Sequence, residues 1–417
     1  MNSDFKPPER LRPIVSATED SPGQPPTRPE AAVDEQKLEQ EFGPAPDGAT
    51  TTRLGRLRLL LPAFASKRPR KKHLILAGLV ILVLAAGVTS AAILHYDHPT
   101  VQLQVVQKHF IPPKPTTVAS TLTGLPVAPS VNNQPVTAIM VENSTFARPQ
   151  SGLDQAGVVF EALAEGGITR FMALYQDTQP NYIGPVRSAR PYYIEWALGF
   201  DAVYTHDGGS PEALSDIPAW NVKDLNEFYN AGAFEAITSR AAPHDVYTSI
   251  AQLSQVEAKD GYGKSNYTGF SRKKDSPSKT PNAATINLTF SSADYNVQYN
   301  YVAATNSYQR SEGGAPHMEL SSIGAQVQIT PKVVVAMILP YSYGALDSTG
   351  AYYSVYGVVG SGQVDVFQDG SVTIGTWAKT SNASPITFTL SNGQPLDLNA
   401  GQTWVEALGG SQDVTYN

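Results

Sequence analysis

The chain has 417 residues, a net charge of −7 and no cysteine. The absent cysteines exclude disulfides, thiolate catalysis, a thiolate metal site and a lipidated N-terminal Cys. Charge is uneven, with −5 over residues 1–50, +8 over 51–95 and −10 over 96–417, and the acidic remainder excludes the basic surface that non-specific nucleic-acid binding needs.

Residues 1–66 are expected to be a disordered cytoplasmic tail, because a stretch rich in Pro, Glu, Gln, Asp and Ser buries too little apolar surface to offset its ordering entropy. Within it, Arg53–Leu61 reads equally as a basic amphipathic piece on the membrane or a solvated linker. Residues 67–95 hold the cationic run Lys67–Lys72 followed by the uncharged stretch Leu74–Leu94. As a helix that stretch would be roughly 31 Å long, the hydrocarbon thickness of a bilayer. It is longer than a signal-peptide core and some seventy residues precede it, so a retained single span is expected. Cations ahead of it place the N-terminus inside and the C-terminal part outside, with anionic inner-leaflet lipids as partners of the basic flank.

Residues 96–134 read as an extracellular Pro-rich stalk with one short strand at Val101–Val106. Residues 135–258 mix strands and helices. Strands are expected at Val136–Glu142, Gly157–Glu165, Ile168–Gln176 and Asp201–Thr205, and helices at Tyr192–Leu198, from Ser210-Pro211, and at Asp245–Ala258 capped by Asp245. Residues 259–283 form a polar linker loop. Residues 284–417 are β-rich, with eight strand signals broken by Gly, Asn and Asp, and Asp369-Gly370 as a hairpin turn. The expected class is α+β: tail, one transmembrane helix, a mixed α/β ectodomain and a β-rich C-terminal domain.

Residues 147–248 carry the candidate chemistry. A two-residue turn at Gly166-Gly167 would pair Glu165 with Ile168 and Leu163 with Arg170. Glu161, Glu165 and Arg170 would then share a face, either as a structural ion pair or as catalytic carboxylates. Arg187, Ser188 and Arg190 sit at a helix start, where partial positive charge favours a nearby anion. Arg148 and Arg240 lie close in sequence, and together with Arg170 these arginines point to a bound phosphate or carboxylate. Gly208 and Ser210, after His206-Asp207, form a turn opening a helix that holds an anion or is simply capped. His206 and His244 are each followed by Asp, but no spacing supports a metal site, and no cofactor is expected.

These residues carry a resemblance. Ala147–Leu153, Glu161–Phe171, Gly184–Arg190, Pro243-His244 with Tyr247-Thr248, Asp369-Gly370, Trp377–Lys379 and Gly401–Val405 resemble the YerB-like family, a bacterial envelope family with a domain of unknown function. The resemblance spans roughly residues 135–410 and implies a two-part ectodomain anchored at the outer membrane face, with no established activity. It departs from the family's lipoprotein members in having no Cys.

Three functions stay open. The ectodomain binds an anionic cell-wall polymer or glycan through Arg148, Arg170, Arg187 and Arg190; or it is an envelope glycan hydrolase or phosphotransferase using Glu161 or Glu165, with His206 and His244 as further catalytic candidates; or it is a structural partner in an envelope assembly.

Overall fold

The computed structural model describes residues 116–321 and 323–417. The tail, the expected span Leu74–Leu94 and the first part of the stalk, with its strand at Val101–Val106, lie outside the described residues.

Ten strands form the main sheet: β1 (Thr137–Glu142), β2 (Val158–Leu163), β3 (Thr169–Tyr175), β4 (Val203–His206), β5 (Lys223–Asn226), β6 (Val333–Ile338), β7 (Gly360–Gln368), β8 (Ser371–Lys379), β9 (Thr387–Thr389) and β10 (Thr403–Leu408). Their order is β9-β8-β7-β6-β10-β2-β3-β1-β4-β5. The expected α+β class, led by a membrane-crossing helix, is corrected. Strand makes up 40% and helix 16% of the described residues, and none of the described helices is long and apolar enough to cross a membrane. Strands of the two halves also join in one sheet, because β10 lies parallel to both β6 and β2, pairing Val405 with Val335 and with Phe160. A second sheet of five strands, residues 285–288, 297–302, 307–312, 315–316 and 414–416, belongs to the C-terminal half.

Strands buried on both faces read as apolar runs, as Val-Val-Val-Ala-Met-Ile of β6 does. Helices α1 (Pro191–Leu198) and α2 (Pro211–Ala219) cover one face, on Phe160, Ala162 and Met172. Phe160 stacks on Trp196 with ring centroids 5.0 Å apart, an arrangement that contributes about 0.5–1.5 kcal/mol beyond the area it buries. The opposite face packs Val159, Phe171 and Ala173 against Ile183, Trp404 and helix α3 (Ile250–Lys259).

Local signals act as expected at three places. Ser210 Oγ accepts from Ala213 N at 3.3 Å, with Pro211 at the first helical position. Asp369 and Gly370, at φ +58° and +74°, close the β7–β8 hairpin. Gly166 and Gly167, at +59° and +81°, close the β2–β3 hairpin. The α3 helix differs: Ser249, not Asp245, caps it, because Val246–Thr248 pairs with Phe234–Ala236 as a short ribbon. The polar linker also packs, since Arg272 donates from Nη1 to Asn399 O at 3.0 Å and from Nη2 to Leu122 O at 2.6 Å.

The β2–β3 register differs by one residue from the expected one. Ala162 faces Arg170 and Glu161 faces Phe171. Ile168 N donates to Glu165 O while Ala164 N donates to Ile168 O, so Glu165 is an extra, bulged residue. A slip of one residue reverses every side chain, and it puts Glu161 and Arg170 on opposite faces of the sheet.

Candidate functional site

Strands β1, β4 and β5 are adjacent and parallel, so Glu142, His206 and Asn226 end at one edge of the sheet. In open α/β sheets ligands bind outside the carboxyl ends of the strands. The segment Gly184–Arg190 is stitched across this edge: Arg187 N donates to Met140 O at 2.9 Å, Glu142 N to Pro185 O at 2.9 Å, and Asp207 N to Arg187 O at 3.1 Å. Arg187 is thereby fixed between the ends of β1 and β4.

Glu142 is the centre of this edge. It is buried, and its carboxylate faces His244 Nδ1 at 3.0 and 2.9 Å, accepts from Ser144 Oγ at 2.8 Å and lies 3.5 Å from Arg187 Nε. His244 and Arg187 keep about a fifth of their side-chain surface, 21% and 23%, open to solvent. Among the described residues His244 Nε2 has no partner, and the Arg187 guanidinium makes no hydrogen bond; its Nε is buried without one. Beside them, burial raises the Asp207 carboxyl above its ordinary range, against the pull of Arg187 and His206.

Three aromatic rings stand in solvent at this edge: Phe146, Phe228 and Tyr229, at 78%, 69% and 84% exposure. The Phe146 ring centroid is 5.8 Å from that of His244. Phe228 lies over Gly208, where φ is +60° and an added Cβ would come within 3.1 Å of the ring. Exposed rings grouped around polar residues mark an interaction surface. The notch therefore offers an imidazole oriented by a carboxylate, a guanidinium with unused donors, and flat apolar faces.

The other predicted residues are engaged. Glu165 receives Arg170 Nη2 at 2.7 Å and Arg190 Nη2 at 2.5 Å, and although burial works the other way, the two guanidiniums hold its carboxyl below the ordinary range. Ser188 contributes its carbonyl to Arg170 Nη1 at 2.9 Å. Arg240 straps the loop after β1, donating to Phe146 O at 3.0 Å and Pro149 O at 2.5 Å. Arg148 donates to Asn143 Oδ1 and Asp294 O and pairs with Glu312 at 3.1 Å. His206 is buried between Gly208 O at 2.6 Å and Asp224 Oδ1 at 2.7 Å.

Glu161 is fully buried in a network that the sequence did not flag. Arg310 Nη2 donates to its Oε2 at 2.5 Å, Arg310 Nη1 reaches Glu312 at 3.2 Å and also contacts His317, and the guanidinium lies 4.7 Å from the Trp404 ring centroid. Glu406, opposite Glu161 on neighbouring β10, accepts from the Tyr299 hydroxyl. Burial pushes Glu161 up to about 8 and raises Glu406 as well. The neighbouring Glu406 carboxyl adds to the rise at Glu161, against the pull of Arg310. Glu142, Arg310, Glu312, His317 and Glu406 were missed for a common reason: each looks like an ordinary strand or loop residue until the sheets bring it to its partners.

Two family models match the chain, the N-terminal domain of a protein of unknown function (DUF3048) over residues 122–263 and its C-terminal domain over residues 286–405. YerB of Bacillus subtilis (strain 168), described as a candidate lipoprotein, is 28% identical over 306 residues, which cover 72% of this chain and 89% of that protein. The crystal structure of the YerB protein from Bacillus subtilis matches with a TM-score of 0.63 at 27% identity, over 72% of this chain and 99% of that one.

Proposed function

The chain belongs to the DUF3048 family of proteins of unknown function, and from that premise we propose that it is an extracytoplasmic envelope protein that binds a carboxylate- or phosphate-bearing glycan at the notch around Glu142, Arg187 and His244. The description of the Bacillus subtilis relative as a lipoprotein supports the compartment. The observation that carries the ligand reading is Arg187: of the five arginines singled out in the sequence, its guanidinium alone makes no hydrogen bond among the described residues. A guanidinium fork matches a carboxylate or phosphate, while Phe146 and Phe228 offer faces for a sugar ring.

The test is titration of full-length protein with acidic cell-wall glycan fragments. Charge-assisted hydrogen bonds are worth about 1.5–3 kcal/mol, so Arg187→Ala should weaken binding roughly tenfold to a hundredfold. Equal binding by wild type and Arg187→Ala discards the reading.

A second reading, hydrolysis of the bound glycan, draws support from the His244–Glu142 pair. A carboxylate behind Nδ1 fixes the imidazole while Nε2 stays open, the arrangement of a general base. Glu161 is sealed against Arg310 and Glu165 is held ionised by two arginines, so proton transfer would fall to His244. Product release from glycan fragments that disappears in His244→Ala would support hydrolysis; binding without turnover would remove it.

A further inference from the structure

A separate cavity of about 290 Å³ lies between the starts of α1 and α2 and a β-hairpin formed by Tyr341–Leu346 and Tyr352–Tyr356. The hairpin is pinned to the Glu165 turn, with Ser354 N donating to Ala164 O at 2.7 Å and Gly166 N to Tyr352 O at 3.2 Å, so this wall is fixed. The lining combines tyrosine rings with two carboxyls. Tyr192, Tyr353 and Tyr356 bring aromatic surface, and the Tyr192 and Tyr356 rings meet at 5.0 Å. Glu195 of α1 and Glu212 of α2 face the same space. Among the described residues neither carboxyl has a hydrogen bond or an ion pair within 4 Å, while the arginine in the lining, Arg190, is turned onto Glu165. Tyr353 already accepts one cation, since Arg190 Cζ lies 5.1 Å from its ring centroid. At the rim Tyr343, Leu346 and Tyr352 are more than half exposed, an uncharged apolar collar.

Aromatic faces attract cations through the ring quadrupole, and aromatic cages hold ammonium groups. A half-buried carboxyl without a partner adds opposite charge in a place where water screens little. We propose that this cavity is a second ligand site that takes an organic ammonium ion of about sugar size, caged by Tyr192, Tyr353 and Tyr356 and neutralised by Glu195 with Glu212. The site is distinct from the Arg187 notch and does not depend on it. Burial pushes the Glu195 carboxyl up to about 7, with Lys379 of β8 opposing and Asp216 and Glu212 of α2 adding to the rise; Arg190 and the hairpin tyrosines complete its surroundings. A cation competes with a proton for Glu195, so the affinity of choline, whose charge does not titrate, should fall about tenfold from pH 8 to pH 6.

The test is calorimetric titration of the full-length chain with choline, glucosamine and N-acetylglucosamine at pH 7, where the glucosamine amine is still mostly an ammonium ion. Choline and glucosamine should bind, and N-acetylglucosamine, the same ring without the charge, should bind at least tenfold more weakly. Glu195→Gln should cost at least tenfold for the two cations, and Glu212→Gln, at an exposed position that leaves the fold intact, should weaken them in the same direction. Arg187→Ala should leave cation binding unchanged, which separates this site from the notch. No binding of either cation, equal binding of the charged and neutral sugars, or wild-type affinity in both glutamine variants would overturn the proposal.

Discussion

The burial of the Glu161 carboxyl makes a specific stability prediction. Glu161 has an ordinary value of 4.5 and is pushed up to about 8 in the folded protein. Between these values the folded state holds a proton that the unfolded state has released. That contribution is complete below pH 4.5 and is lost as pH rises through about 8. While the difference is one proton, the slope is about 1.4 kcal/mol per pH unit, and integrating from pH 6 to pH 8 gives a loss of about 2 kcal/mol. For a folded part of about 300 residues, that corresponds to roughly 3 °C in Tm. Glu161→Gln keeps the shape but cannot ionise. Thermal unfolding of wild type and variant should be followed from pH 6 to pH 8, each referred to its own value at pH 6. The wild type should lose about 3 °C relative to the variant. Parallel Tm curves would show that Glu161 is ionised in the folded state at neutral pH, and the argument from its burial would fail.

Arg310→Met should be far more costly, about 3–5 kcal/mol by chemical denaturation at pH 9, where Glu161 is ionised and loses its buried cation, and less at pH 6; an equal loss at the two pH values would contradict the raised carboxyl. Gly167→Ala should destabilise by about 1–2 kcal/mol, since its φ of +81° disfavours a side chain, and an unchanged denaturation midpoint would contradict the turn geometry. Glu319, raised to about 9 by burial and by neighbouring Asp154, also loses its contribution as pH rises through that value. Asp154→Asn removes the like charge, and the fall in Tm between pH 8 and pH 10 should become shallower than in the wild type.

Short-range signals in the sequence translated well. The Ser210-Pro211 cap and the Asp369-Gly370 turn depend on residues within three or four positions, and local chemistry decides them. The strands also surfaced, because β-branched runs between turn residues read alike in any context. What escaped was long-range. Nothing in Thr403–Leu408 says that it pairs with Val158–Glu161, some 245 residues earlier. Nor does Glu165 announce that it bulges, yet that one extra residue decides whether Glu161 meets Arg170 or Arg310. The site shared this fate. His244 and Arg187 stood out as unusual residues in loops, whereas Glu142, which organises them, closes an otherwise apolar strand and looks like the end of a run.

The position of β10 has a further consequence for how the molecule comes into being. This strand follows the other nine in the chain but lies between β6 and β2, near the middle of the sheet. Until it arrives, each half displays a long, greasy, unpaired border, the kind of surface that recruits stray chains. Cutting the gene at the boundary between the two halves would therefore yield two sticky fragments and not two tractable modules. Mixed during refolding they should find each other, with the late strand acting as the zip that joins them.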